Sequence, residues 1–140
     1  MKFIILLFCI FCLISCSVKQ LILIKSTSQK WTTRGNNING TNYHIILKTF
    51  ADTSKIKIDN LCINNHKISD FHLSVLGKSN TCYNYVSGDS IIISVNVVSN
   101  EKDKLQYCNC CKNTSTCIYY SFKNKKHTLC VDSMKVLPGI

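Results

Sequence analysis

Apolar and polar residues alternate along most of this chain. Tyr43, Ile45 and Leu47 fall on one side of their segment, and Ile56 and Ile58 oppose Lys55, Lys57 and Asp59. The same period of two recurs in Phe71, Leu73, Val75, in Ile91, Ile93, Val95, Val97, in Ile118, Tyr120, Phe122, and in Leu129, Val131. That period is the mark of a strand with one buried face. The branched run Leu21–Ile24 predicts a further, first strand, and the closing segment from Lys126 through Leu137 reads as one unit. Asn, Gly, Ser, Asp and Lys clusters separate the segments: "ADTS", "NNHKISD", "GKSN", "VSGD", "SNEKDK" and "KNKK". These are turn compositions. Ser28–Tyr43, rich in asparagine and carrying two glycines, reads as a loop or loose hairpin, with Trp31 anchoring it to the core.

No segment of ten or more residues carries a helical stripe. Pro138 lies beyond the last expected strand, where its missing N–H harms no ladder. About seven short strands predict an all-β fold, a single antiparallel β-sandwich. It is Ig-like in architecture only, because the Cys…Trp…Cys spacing of antibody domains is missing. Ile45, Leu47, Ile56, Ile58, Leu73, Ile91, Ile93, Val95, Ile118, Tyr120 and Leu129 are the expected core.

The N-terminus is of another kind. Phe3–Ile14 is almost wholly apolar behind Lys2. It is shorter than the roughly 20 residues a membrane-spanning helix needs. A short apolar core behind a basic start, ending in a small residue, reads as an export signal over residues 1–15, leaving one domain over 16–140. Leu13-Ile14-Ser15-Cys16 resembles the lipobox of bacterial lipoproteins. The resemblance implies that Cys16 carries diacylglyceryl through its sulfur and becomes the mature N-terminus. Two other readings stay open: a plain secretion signal with cysteine as apolar filler, as at Cys9 and Cys12, and a retained anchor.

Charge narrows the partners. The chain carries 17 Lys and Arg against 7 Asp and Glu, a net +10, with Arg34 the single arginine. Base-specific recognition favours arginine forks. Scattered lysines suit an anionic envelope surface or a polyanionic glycan, and no nucleic-acid partner is expected. The densest basic run is Lys123-Asn124-Lys125-Lys126.

Gly40-Thr41-Asn42-Tyr43, Asp59-Asn60-Leu61-Cys62-Ile63, Gly88-Asp89-Ser90-Ile91 and the ending Lys135-Val136-Leu137-Pro138 resemble a group of small, uncharacterised lipoproteins of Bacteroidetes type. The likeness runs from about Ser26 to Pro138. That group usually has tryptophan where Cys62 stands, and few cysteines. The resemblance implies a lipid-anchored exported protein and supplies no catalytic residue.

The strongest local signal is "CNCCKNTSTC". Cys108, Cys110, Cys111, Cys117 and Cys130 are candidates for disulfides or for a soft metal, copper or zinc. Partly free thiols are a third reading. Zinc sites usually show separated C-x2-C pairs, which this spacing does not, and adjacent Cys110 and Cys111 point apart on an extended chain. At least one disulfide is expected from the 108–111 group to Cys117 or Cys130. His44, His66, His72 and His127 are spread out and read as ordinary polar residues, although His66 and His72 share one region of sequence. Few acidic residues, no nucleophile elbow and no phosphate loop leave no catalytic residue to name. No cofactor is expected. Taken together, these features predict a lipid-anchored exported envelope protein, a noncatalytic binding or structural module. Alternatives are a periplasmic or extracellular copper- or zinc-handling protein using the Cys108–Cys130 cluster, and a secreted disulfide-rich effector.

Overall fold

A computed structural model describes residues 19–140 except 36, 80–83 and 113. The expected export signal over residues 1–15, Cys16 and Cys82 therefore lie outside the described residues. Among those described, nine strands form: β1 (Leu21–Thr32), β2 (Asn39–Thr49), β3 (Ile56–Ile63), β4 (His66–Ile68), β5 (His72–Val75), β6 (Ser90–Val98), β7 (Thr116–Phe122), β8 (Lys125–Val131) and β9 (Lys135–Leu137). They build one sheet of order β5-β6-β2-β1-β9 and a second of order β4-β3-β7-β8. The expected β-sandwich is what forms, with more strands than the seven anticipated.

The alternating residues drive the packing. Tyr43, Ile45, Leu47, Ile91, Ile93 and Val95 point inward from the first sheet. Ile56, Ile58, Leu61, Ile63, Ile118 and Tyr120 meet them from the second. Of the expected core residues, Leu73 and Leu129 are not fully buried, because each lies on an outermost strand of its sheet. Two hairpins turn on two residues each, Asn64-Asn65 between β3 and β4 and Lys123-Asn124 between β7 and β8, all four with positive φ. That is the turn whose twist matches the strands it joins.

Four local expectations change. Ser28–Thr32 is not loop but the second half of β1, paired with β2 as far as Thr32↔Asn39. Trp31 does not enter the core. It lies over Gly40 on the outer face and donates from Nε1 to Asn96 Oδ1 at 3.0 Å. A Cβ on Gly40 would stand 2.5 Å from Trp31 Cζ2, so the ring's approach requires glycine there. "NNHKISD" contributes the short strand β4, and "SNEKDK" winds into a 3-10 turn, Ser99–Lys104. The closing segment splits: β8 stays in the second sheet, while β9 crosses to the first and pairs with β1 in parallel, the one parallel pair among the described residues. Ser26 Oγ donates to Ser133 O at 2.6 Å and fixes that crossing.

Tyr85 holds the β5–β6 connection down. Its hydroxyl donates to Ile56 O at 2.7 Å, and its backbone exchanges hydrogen bonds with Thr53. Burial pushes its phenol up to about 12.

Two outcomes are expected. Ile93→Ala empties a fully buried site and should cost about 2–5 kcal/mol in urea unfolding; a loss well under about 1 kcal/mol would contradict the packing. Above pH ~10 the unfolded chain loses its tyrosine protons while folded Tyr85 keeps its own. Stability should therefore hold below pH ~10 and fall as pH rises toward about 12, and Tyr85→Phe should flatten that fall.

Candidate functional site

Three cysteines on adjacent strands share one register row: Cys62 on β3 faces Cys117 on β7, which faces Cys130 on β8. Their neighbours Leu61, Ile118 and Leu129 form the next row and point into the sandwich. Side chains alternate along a strand, so the cysteine row lies on the outer face of the second sheet. Cys62 and Cys117 are nonetheless fully buried. The cover is the segment between the 3-10 turn and β7.

That segment is tied at both ends. Lys67 N–H donates to Gln106 O and Cys108 N–H to Asn65 O, which lays the chain beside β4. The next residues cross the sheet. Cys108 is bridged to Cys62, with Cα atoms 6.0 Å apart, and Cys111 to Cys130, at 5.8 Å. The three steps from Cys108 to Cys111 span at most about 10 Å. That matches the two strand spacings, about 4.8 Å each, from β3 to β8. The chain crosses the sheet between the two bridges, and Cys110 hangs above the middle strand. Tyr119, on the outer face of β7, donates its hydroxyl to Asn109 O from below.

Cys110 and Cys117 are unbridged. The Cys110 sulfur lies 3.0 Å from Cys62 Sγ, 3.3 Å from Ser115 O and 3.5 Å from Cys62 O. The sulfurs of Cys62, Cys110 and Cys117 all lie within 4.8 Å of one another. Burial raises the Cys110 thiol above its ordinary value, a hydrogen bond from the Asn65 backbone opposes this, and neighbouring Cys117 adds to it. Beside Cys117, the Tyr119 phenol is pushed up to about 12, by that thiol first and by burial second.

Of the five cysteines expected to act together, Cys111 and Cys130 are consumed in a bridge of their own, which is the disulfide expected from the sequence. Of the five, Cys110 and Cys117 stay unbridged, and the sulfurs that converge are theirs and that of Cys62. Cys62 was missed because it stands 46 residues before its partner, inside an ordinary strand pattern. His127 does not join the group. It sits three residues before Cys130, on the opposite face of β8, stacked on Tyr120 at 5.3 Å between ring centroids.

The remaining histidines separate as well. His66 belongs to the second sheet and His72 to the first, despite their closeness in sequence. His72, Ser94 and His44 form a row on the outer face of the first sheet, with His44 Nδ1 3.1 Å from Ser94 Oγ. Together with Asp70 they line a shallow groove of about 500 Å³.

The lysines are less scattered than the sequence implies. Lys57, Ser121 and Lys126 form an outer-face row, and Lys123 N–H donates to Lys55 O at 2.9 Å. Lys55, Lys57, Lys123 and Lys126 thereby line one groove of about 530 Å³ at the hairpin end of the second sheet. Asp59 also lines it, and accepts from Ser121 Oγ at 2.6 Å.

No family model, curated protein or solved structure matches this chain.

The staples should carry stability unequally. They close loops of 46 and 19 residues. In the chain-entropy account these contribute about 4 and about 3 kcal/mol. Replacing Cys62 and Cys108 together with alanine should lower stability more than replacing Cys111 and Cys130. Urea unfolding without reductant reads the difference, and the reverse order would contradict the account.

Proposed function

We propose that this protein is an exported, lipid-anchored envelope module that binds without catalysing, and that its lysine groove faces anionic lipid headgroups. The observation that carries export is the pair of disulfides fixing the 108–111 crossing to β3 and β8. Such bridges persist outside the reducing cytoplasm. The Leu13-Ile14-Ser15-Cys16 sequence supports the anchor. Several acyl chains on one cysteine hold a small domain at a bilayer, since each buried methylene contributes about 0.8 kcal/mol.

Lys55, Lys57, Lys123 and Lys126 support the headgroup reading. The Asp52–Lys55 pair is exposed at both ends, at 3.9 Å, so it withdraws little of that positive field. A tethered domain held near the surface needs only weak attraction to choose an orientation.

Cys16→Ala should leave the membrane fraction or remain as unprocessed precursor, whereas a wild-type protein that is soluble and free of acyl groups would overturn the anchor. Purified Cys16→Ala chain should sediment with phosphatidylglycerol vesicles and not with phosphatidylcholine vesicles. The binding should fade toward about 1 M salt, where the screening length shrinks to about 3 Å. Lys57→Glu with Lys126→Glu should abolish it. Binding that survives this double change, or that requires a polyanionic glycan instead, would overturn the headgroup reading.

A further inference from the structure

Three cysteines of the crossing segment stand over three cysteines of the sheet. The outer two pairs are bridged, and the middle pair, Cys110 over Cys117, is not. We propose that Cys110 and Cys117 form a binding site for a soft monovalent cation, copper(I), held between their two thiolates with the bridged Cys62 sulfur as a weak third contact.

The geometry suits such an ion. Two metal–sulfur bonds of about 2.3 Å reach across about 4.6 Å, and the two sulfurs lie within 4.8 Å. Soft thiolates select copper(I). Zinc wants four N or S donors in a tetrahedron. Cys108, Cys111 and Cys130 are held in bridges, and His127 lies on the other face of its strand, so the set for zinc is incomplete among the described residues.

The surroundings also favour a cation over a bare thiolate. Around the Cys110 sulfur stand two carbonyl oxygens and a disulfide sulfur, all electron-rich, and one thiol proton can serve only one of them. On binding, both S–H protons leave to solvent and two metal–sulfur bonds form. No electron moves, and the two staples stay intact. Those staples hold the middle pair in place before any ion arrives, so little ordering is left for binding to do.

The test uses the full chain, purified without reductant and without metal, titrated under nitrogen with copper(I) held by a colorimetric chelator and read by native mass spectrometry. One copper per chain is expected. Cys110→Ser should lose it while keeping the urea midpoint, since Cys110 is only partly buried on a segment stapled at both ends. Cys117→Ser should lose it too, and Cys82→Ser should keep it. Copper retained by folded Cys110→Ser, copper lost with Cys82, or stoichiometric zinc taken in preference to copper(I) would each overturn the site. So would an isolated chain in which Cys110 is already linked to Cys117, lighter by two hydrogens.

Discussion

One irregularity in β3 decides which way Cys62 faces. Ile56 and Ile58 point inward, and so do Leu61 and Ile63, an odd step of three in between. A regular strand alternates, so an odd step is impossible without an extra residue. The register with β7 slips between Ile58 and Asn60, and Asp59 is the residue taken up there. Its carboxylate is held by Ser121 Oγ. Without that bulge, Leu61 and Ile63 would turn to solvent and Cys62 would enter the core. With it, Cys62 joins Cys117 and Cys130 in a row on the outer face. The Cys62–Cys108 staple and the burial of Cys62 beneath the crossing segment follow from the same slip.

This explains what the sequence could and could not show. Strand existence was legible wherever one face is buried, because burial writes a period of two into the residues; β2, β6 and β7 are the clearest cases. The bulge was not legible. Asp59-Asn60 looks like a turn by composition, and the inward run Ile56, Ile58 gives no hint that Leu61 continues it. The cysteine cluster was legible as a cluster, and so was a link from the 108–111 group to Cys117 or Cys130, of which the fold selects Cys130. The partner of Cys108 was not, since only the register brings β3 beside β7. Trp31 misled for a different reason. A single tryptophan suggests core, but Gly40 offers a flat backbone surface on the outer face and Asn96 an acceptor for the indole N–H. The crossing of β9 to the other sheet likewise depends on Ser133 and Ser26, two residues without any pattern of their own.

The two sheets present unlike outer faces. The first carries Trp31, Asn96, His44, Ser94 and His72, with Asp70 also lining its shallow groove. The second carries the stapled segment at one end and lysines at the other. The division follows from the two hairpin turns as well as from the strands. Lys123 occupies a left-handed turn position that asparagine or glycine would fill with less strain, which places one more positive charge at the rim of the lysine groove. Compositional excess of lysine thus becomes a local field only after folding, by register and turn geometry.

A free thiol 3.0 Å from a disulfide sulfur raises the question of exchange. Attack of Cys110 on Cys62 would break the Cys62–Cys108 bond, form Cys62–Cys110 and pass the thiol to Cys108, moving the staple by two residues. The nucleophile in such a step is the thiolate. Burial favours the protonated thiol at Cys110, so the reactive form is scarce, and the neighbouring Cys117 makes it scarcer. Copper(I) must displace the same proton, so ion and proton compete for the Cys110 sulfur, and the ion's advantage is that it is shared with Cys117 within reach while one proton serves one partner. What the staples supply to the site is therefore geometry: they hold Cys110 over Cys117 against the sheet, while the buried setting keeps the thiol protonated and its attack on the neighbouring bridge slow.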